Sequence, residues 1–165
     1  MRPERSVMAS RRAGPGLARS AAPSAGGPRP ALHALAGSSG RPVRVLIVDD
    51  HPVLADALRA ALEESRDLMV VGVAGSVVEA LEAVRRSRPD VVVMDYRLPD
   101  EDGLSGAQRL MRERKGCRVV LLTGAGSDEL RRLALAAGCS AYLTKDQRLE
   151  EVLEVVRGAG GQPVT

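Results

Sequence analysis

The sequence predicts an α/β protein, a doubly wound parallel sheet of five strands with helices on both faces. Three observations carry that prediction. Strand-like and helix-like stretches alternate five times in about 115 residues, the rhythm of β-α units rather than of sandwiches or bundles. One of the strand-like stretches, Val91-Val92-Val93-Met94, is apolar at every position, as a strand buried on both faces must be. Polar residues then stand where four of the five strands end, the edge of an open α/β sheet where ligands bind.

The elements follow in order. Val43 to Val48 is an aliphatic strand that runs into Asp49-Asp50, and Pro52, after His51, suits the first turn of a helix. Leu54, Leu58, Ala61 and Leu62 give that helix its apolar face. Leu68 to Ala74 is the second strand. Ser76 is placed to cap a helix with Val77, Ala80, Leu81 and Val84 on one side, and Arg88-Pro89 breaks it. The third strand ends in Asp95, with Pro99 and Gly103 following. A weaker helix is expected over Ser105 to Arg114, because Gly106 costs about 1 kcal/mol relative to Ala inside a helix. Arg118 to Thr123 is the fourth strand. Ser127-Asp128-Glu129 opens a helix through Ala137, which Gly138 stops. Ser140 to Leu143 is a short fifth strand. Asp146 is expected to cap the last helix, with Leu149, Val152, Leu153 and Val156 on its apolar face and Gly158-Ala159-Gly160-Gly161 ending it. Right-handed crossovers then favour the flavodoxin-like strand order 2-1-3-4-5.

Residues 1–42 differ in kind. They are rich in Arg, Ala, Gly, Pro and Ser and sustain no hydrophobic period, so they read as a disordered extension. An organelle transit peptide, a loose nucleic-acid-binding arm and an upstream start codon are the alternatives. Residues 43–158 form the domain, and residues 159–165 a tail or the start of a linker. The overall charge of +3 hides a division. Residues 1–44 hold eight Arg against one Glu, a net +7, which leaves −4 for residues 45–165. The body therefore offers no basis for nucleic-acid binding. No stretch reaches the ~18–20 apolar residues of a membrane span. The two cysteines, Cys117 and Cys139, match no zinc or redox spacing and read as small buried residues in a reducing cytoplasm. The core must be aliphatic, since there is no Phe or Trp and only two Tyr.

The strand ends bring chemistry together. Asp49, Asp50 and Asp95 would repel one another unless a cation joined them. A hard divalent ion with oxygen ligands, Mg2+ above all, fits such a set. Lys145 adds a mobile positive charge, Thr123 a hydroxyl donor, and Gly124 room for an oxyanion, so Asp95 would be the nucleophile of an aspartyl-phosphate chemistry. Two other phosphate chemistries fit poorly. Gly124-x-Gly126 opens like a dinucleotide fingerprint but meets Glu129 where the third glycine belongs. A haloacid-dehalogenase-type phosphatase would need an acid where Arg97 stands. His51 reads as helix entry, and Thr144 as a strand-end residue.

The acidic pair, Asp95 with Pro99 and Gly103 at their offsets, Thr123, and Lys145 before Asp146 together resemble the receiver domain of bacterial two-component response regulators. The likeness covers Val43 to Gly161. The runs Val48-Asp49-Asp50-His51-Pro52 and Ala137 to Asp146 look most like the NarL/FixJ (LuxR-type) group. The resemblance implies that Asp95 takes a phosphoryl group from a sensor histidine kinase. It implies that Asp50 ligates Mg2+, Asp49 does so directly or through water, and the backbone carbonyl of Arg97 adds a further ligand. Lys145 would pair with the phosphoryl group, Thr123 would move to bond it, and Tyr142 would turn inward as the switch. Arg97 departs from the neutral residue frequent at its position, and Cys139-Ser140-Ala141 from a common Ala-Asp-Gly. The implied output is a protein-interaction surface, acting through a homodimer or a downstream protein target in the cytoplasm. The group carries a helix-turn-helix domain beyond a linker, and Thr165 falls about where that linker would begin. A stand-alone receiver, the front of a longer DNA-binding regulator and a phosphorylation-independent binding module are the resulting expectations.

Overall fold

In the computed structural model, residues 40–161 are described. Five parallel strands lie in the order β2-β1-β3-β4-β5. They are β1 (Val43–Val48), β2 (Leu68–Ala74), β3 (Val91–Asp95), β4 (Arg118–Thr123) and β5 (Ala141–Thr144). Between and after them run α1 (Pro52–Glu63), α2 (Val77–Ser87), α3 (Gly103–Glu113), α4 (Asp128–Ala136) and α5 (Leu149–Gly161). This is the expected doubly wound, flavodoxin-like architecture.

Alternation along each central strand divides the core between two faces. Leu46, Val48, Val92, Met94, Val119 and Leu121 point to one face, where α2, α3 and Ala134 of α4 cover them. Val45, Ile47, Val91, Val93, Val120 and Leu122 point to the other, against α1 and α5. Each such aliphatic side chain, fully buried, contributes about 1.5–3 kcal/mol. The strand run Val91 to Asp95 is buried at all five positions, which places it at the centre of the sheet, paired to β1 on one side and β4 on the other.

Three expectations need correction. α3 begins at Gly103 rather than Ser105, because Asp102 accepts from the amides of Leu104 and Ser105 and caps it. Its two glycines are packing positions. A Cβ at Gly103 would collide with the Asp95 backbone carbonyl, and one at Gly106 would lie 2.6 Å from both the Met94 methyl and a Val77 methyl. The last helix begins at Leu149, not after an Asp146 cap. Gln147 occupies the turn instead, its Oε1 accepting from the Thr144 amide at 2.9 Å and its Nε2 donating to Glu151. That helix also continues three residues past position 158, since Ala159 is buried in the core and holds the last turn down.

The extension expected over residues 1–42 lies outside the described residues except for its final three. Of these, Arg41 is held, donating from both terminal nitrogens to the Asp90 carboxylate at 2.9 and 3.0 Å. Cys117 and Cys139 are both free and buried.

Candidate phosphoryl site

Parallel strands all end on one side, so β1, β3, β4 and β5 deliver their terminal residues to a single crevice. Asp49 and Asp95 are buried there, 7% and 3% exposed, while Asp50 is exposed. Lys145 reaches in from the turn after β5. Its Nζ donates to Asp49 Oδ2 at 2.7 Å and lies 3.0 Å from Asp95 Oδ2. Its backbone amide bonds the Thr123 carbonyl at 2.8 Å, which fixes the turn to the end of β4. Burial pushes the Lys145 ammonium down, but its bonds to Asp49 and Asp95 outweigh burial and hold its pKa above the ordinary value.

His51 belongs to the same cluster. Its backbone amide donates to Asp49 Oδ1, and its Nδ1 lies 3.0 Å from carboxylate oxygens of both Asp49 and Asp50. It enters α1 without making a side-chain cap, so the ring is committed to the acids rather than to the helix. Among the described residues, Asp49, Asp50, His51 and Asp95 each offer one ligand atom, all within 4.8 Å of one another. Three carboxylates against one ammonium leave a charge deficit of two, which one divalent cation balances. The oxygen-rich donor set suits Mg2+.

The remaining expected residues are distributed around this cluster. Arg97 is exposed and its backbone bridges antiparallel to Asp102. It lines, with His51, Asp95, Gly124, Ala125 and Lys145, a cavity of about 650 Å3. Val53, Leu54 and Ala57 of α1 form the apolar wall of that cavity, and Val53 is 85% exposed. Gly124 is exposed, with open space where a Cβ would stand. Thr123 is buried, and its hydroxyl is turned to its own loop. It donates to the Ala125 carbonyl at 3.2 Å and accepts from the Ala125 amide at 3.3 Å. The Tyr142 ring is half-buried against the core, and its hydroxyl accepts from the Ser127 amide at the start of α4.

Sequence reasoning missed Asp100. From the loop after β3 its carboxylate accepts from the amides of Val77 and Val78, both at 3.0 Å, and caps α2 beside Ser76. Its amide partners lie more than twenty positions upstream, so no local pattern marks it. Burial alone would raise the Asp100 carboxyl, but the amides it accepts from hold it below the usual carboxylate value. The loop that leaves Asp95 is thereby tied to the first turn of a helix packed on the same sheet.

Comparison with known proteins gives a consistent picture. The family model for the response regulator receiver domain matches residues 45–157. The chain is 41% identical over 118 residues to the DNA-binding transcriptional activator DevR/DosR of Mycobacterium tuberculosis, covering 72% of this chain and 54% of that protein. It spans about half the length of the curated relatives it matches. Among solved structures, the signal receiver domain of a response regulator designated NarL from Mycobacterium tuberculosis superposes with a TM-score of 0.69 at 32% identity, over 74% of this chain and 99% of that one. A response regulator from Burkholderia pseudomallei, described with a phosphorylated aspartic acid, a calcium ion and citrate, superposes with a TM-score of 0.64 at 27% identity, over 72% of this chain and 68% of that one.

Proposed function

The chain belongs to the response regulator receiver domain family, and from that premise we propose that Asp95 is its phosphoacceptor, charged by a sensor histidine kinase at the acidic cluster. The observation that carries the reading is the position of Lys145 Nζ, within 3.0 Å of both Asp49 Oδ2 and Asp95 Oδ2 beside a third carboxylate. A structural ion pair would need one acid. This cluster keeps more negative charge than its lysine balances, which is the state expected of a site that awaits a cation and a phosphoryl group.

In the proposed reaction an Asp95 carboxylate oxygen attacks phosphorus as the donor's N–P bond breaks, and the electron pair leaves with the kinase imidazole nitrogen. Asp49, Asp50 and the Arg97 carbonyl would hold Mg2+, which when bound neutralises charge on the phosphoryl oxygens. Lys145 faces the transferred group as a point charge. Gly124 leaves space for its oxygens. The Thr123 hydroxyl exchanges two long bonds to Ala125 for one to the phosphoryl group, a charge-assisted bond that is the stronger of the two kinds. Tyr142 then releases the Ser127 amide and turns inward, which alters the surface made by α4, β5 and α5. The chain catalyses only its own phosphorylation and dephosphorylation, acts in the cytoplasm, and signals through a homodimer or a protein target. No helix among the described residues is long and apolar enough to cross a membrane.

A second reading rests on the relatives: this receiver would be the front part of a longer DNA-binding regulator, since the matched region is only 54% of DevR/DosR, a DNA-binding activator. The test of the common core is intact-mass measurement after incubation with acetyl phosphate and Mg2+. One phosphoryl group is expected in the parent and none in Asp95→Asn. No adduct under saturating conditions would overturn the phosphoacceptor reading and leave a phosphorylation-independent binding module.

A further inference from the structure

At the opposite end of the sheet, where the strands begin, a second cavity of about 660 Å3 opens. Six cations line it: Arg41, Arg44, Arg86, Arg88, Arg114 and Lys115. The other lining residues are Ser87, Asp90 and Glu113, so no apolar or aromatic side chain faces it. Both acids are already engaged. Arg41 and the Arg44 amide take the Asp90 carboxylate, and Glu113 accepts from Arg85, which stands outside the cavity.

Helix termini do not account for this concentration of charge. Cations near a helix C-terminus offset its dipole, but the end of α2 is already satisfied. Arg88 donates its amide to the Val84 carbonyl, and the Arg44 guanidinium takes the Ser87 carbonyl at 2.6 and 3.2 Å. Arg86, Arg88 and Lys115 have no ion-pair partner among the described residues. Arg114 reaches Asp90 only at 4.0 Å, and its buried Nε has no hydrogen-bond partner there. Arg88 is also the one described non-glycine residue with a left-handed backbone, φ 47°. Three cations are thus brought together without an ion-pair partner among the described residues, beside a fourth, Arg114, that is only loosely paired and keeps a desolvated donor open. A buried unmatched donor is costly unless something accepts from it.

We propose that this cavity binds a compact, multiply charged phosphate anion, remote from and independent of the Asp95 site. Guanidinium forks match phosphate oxygens two at a time. Three unpaired cations and a loosely paired fourth match the charge of two or three linked phosphoryl groups better than that of one. The wholly polar wall offers a nucleobase nothing to stack on, which argues for recognition of the phosphates themselves.

The test is an amide-resolved NMR titration of the full chain with inorganic tripolyphosphate, in Mg2+-free buffer at physiological salt. Saturable shifts are expected at Ser87, Arg88 and Asp90 and at Arg114 to Arg118. Arg86→Ser with Lys115→Ser should weaken binding by at least about tenfold. Both residues are exposed, so folding should be untouched, and the far-UV CD melt checks this. Arg66→Ser with Arg131→Ser removes the same charge from other surfaces and should leave binding unchanged. Equal loss in the two pairs, shifts gathered at Asp95 and Lys145 or at the Arg-rich residues before Gly40, or no saturation would each overturn the proposal.

Discussion

Replacing Lys145 by Met keeps the aliphatic stem and removes the ammonium that touches Asp49 and Asp95. At 2.7 and 3.0 Å and an effective dielectric of about 20, each contact is worth about 6 kcal/mol before desolvation is counted. Desolvation of the ammonium cancels most of that. Leaving two buried carboxylates uncompensated costs about 3–5 kcal/mol, and the lower end applies to a lysine that keeps some contact with water. Urea denaturation in Mg2+-free buffer should therefore show Lys145→Met about 3 kcal/mol less stable than the parent. With the ammonium gone the cluster attracts a cation more strongly, so millimolar Mg2+ should stabilise the variant more than the parent and narrow the gap. The pH dependence has a definite sign. The pKa of Lys145 is raised in the folded state, so its contribution is complete below the ordinary value of 10.5 and is lost as pH climbs through the folded value. A variant as stable as the parent without Mg2+, or the same Mg2+ increment in both proteins, would refute the charge deficit on which the cation site rests.

Gly106→Ala should destabilise the fold, because the new methyl would stand 2.6 Å from Met94 and Val77; about 1–3 kcal/mol of overpacking outweighs the roughly 1 kcal/mol gained in helix propensity, and thermal denaturation by CD reads the balance. Asp100→Ala should cost about 1 kcal/mol at neutral pH through the lost cap on α2. Since the folded-state pKa of Asp100 is depressed, that difference is present above the ordinary value of 3.8 and fades as pH falls through the folded value, which paired urea titrations from pH 7 to 3 would show. Burial pushes the thiols of Cys117 and Cys139 up to about 11, so neither should react with a thiol-labelling reagent at pH 7 in the native protein, and both should react in denaturant; fast native labelling would contradict the packing.

The strands were the most legible elements. β2 and β4 begin and end where the aliphatic runs do, since burial on a sheet is written directly in the side chains that fill it. The misplaced helix limits turn on side-chain contacts, some local and some distant, that no apolar period encodes. Gly103 and Gly106 look like helix breakers until the Asp95 carbonyl and Met94 are seen against them. Asp146 looks like a cap until Gln147 is found bonding Thr144. At the candidate site, Asp49, Asp50, Asp95 and Lys145 can be grouped from the sequence because strand ends converge in this topology, and the structure brings these four side chains together, while the Thr123 hydroxyl faces its own loop. His51 reads as helix entry because a residue next to a proline has a sufficient local explanation, whereas in the structure its ring lies against Asp49 and Asp50. The cations of the far cavity come from three separate segments, and only the crossovers that return each strand to the same edge assemble them.

The scarcity of aromatic residues has an optical consequence. With no Trp or Phe, all near-ultraviolet emission comes from Tyr96 and Tyr142. Tyr96 directly follows Asp95, and Tyr142 holds the Ser127 amide through its hydroxyl. The protein thus carries its only two fluorophores beside the acid it is proposed to modify and on the residue proposed to move. Tyrosine emission responds to the bonding of its hydroxyl, so the unlabelled molecule should report its own activation in a cuvette, against a background that nothing else in the chain contributes to.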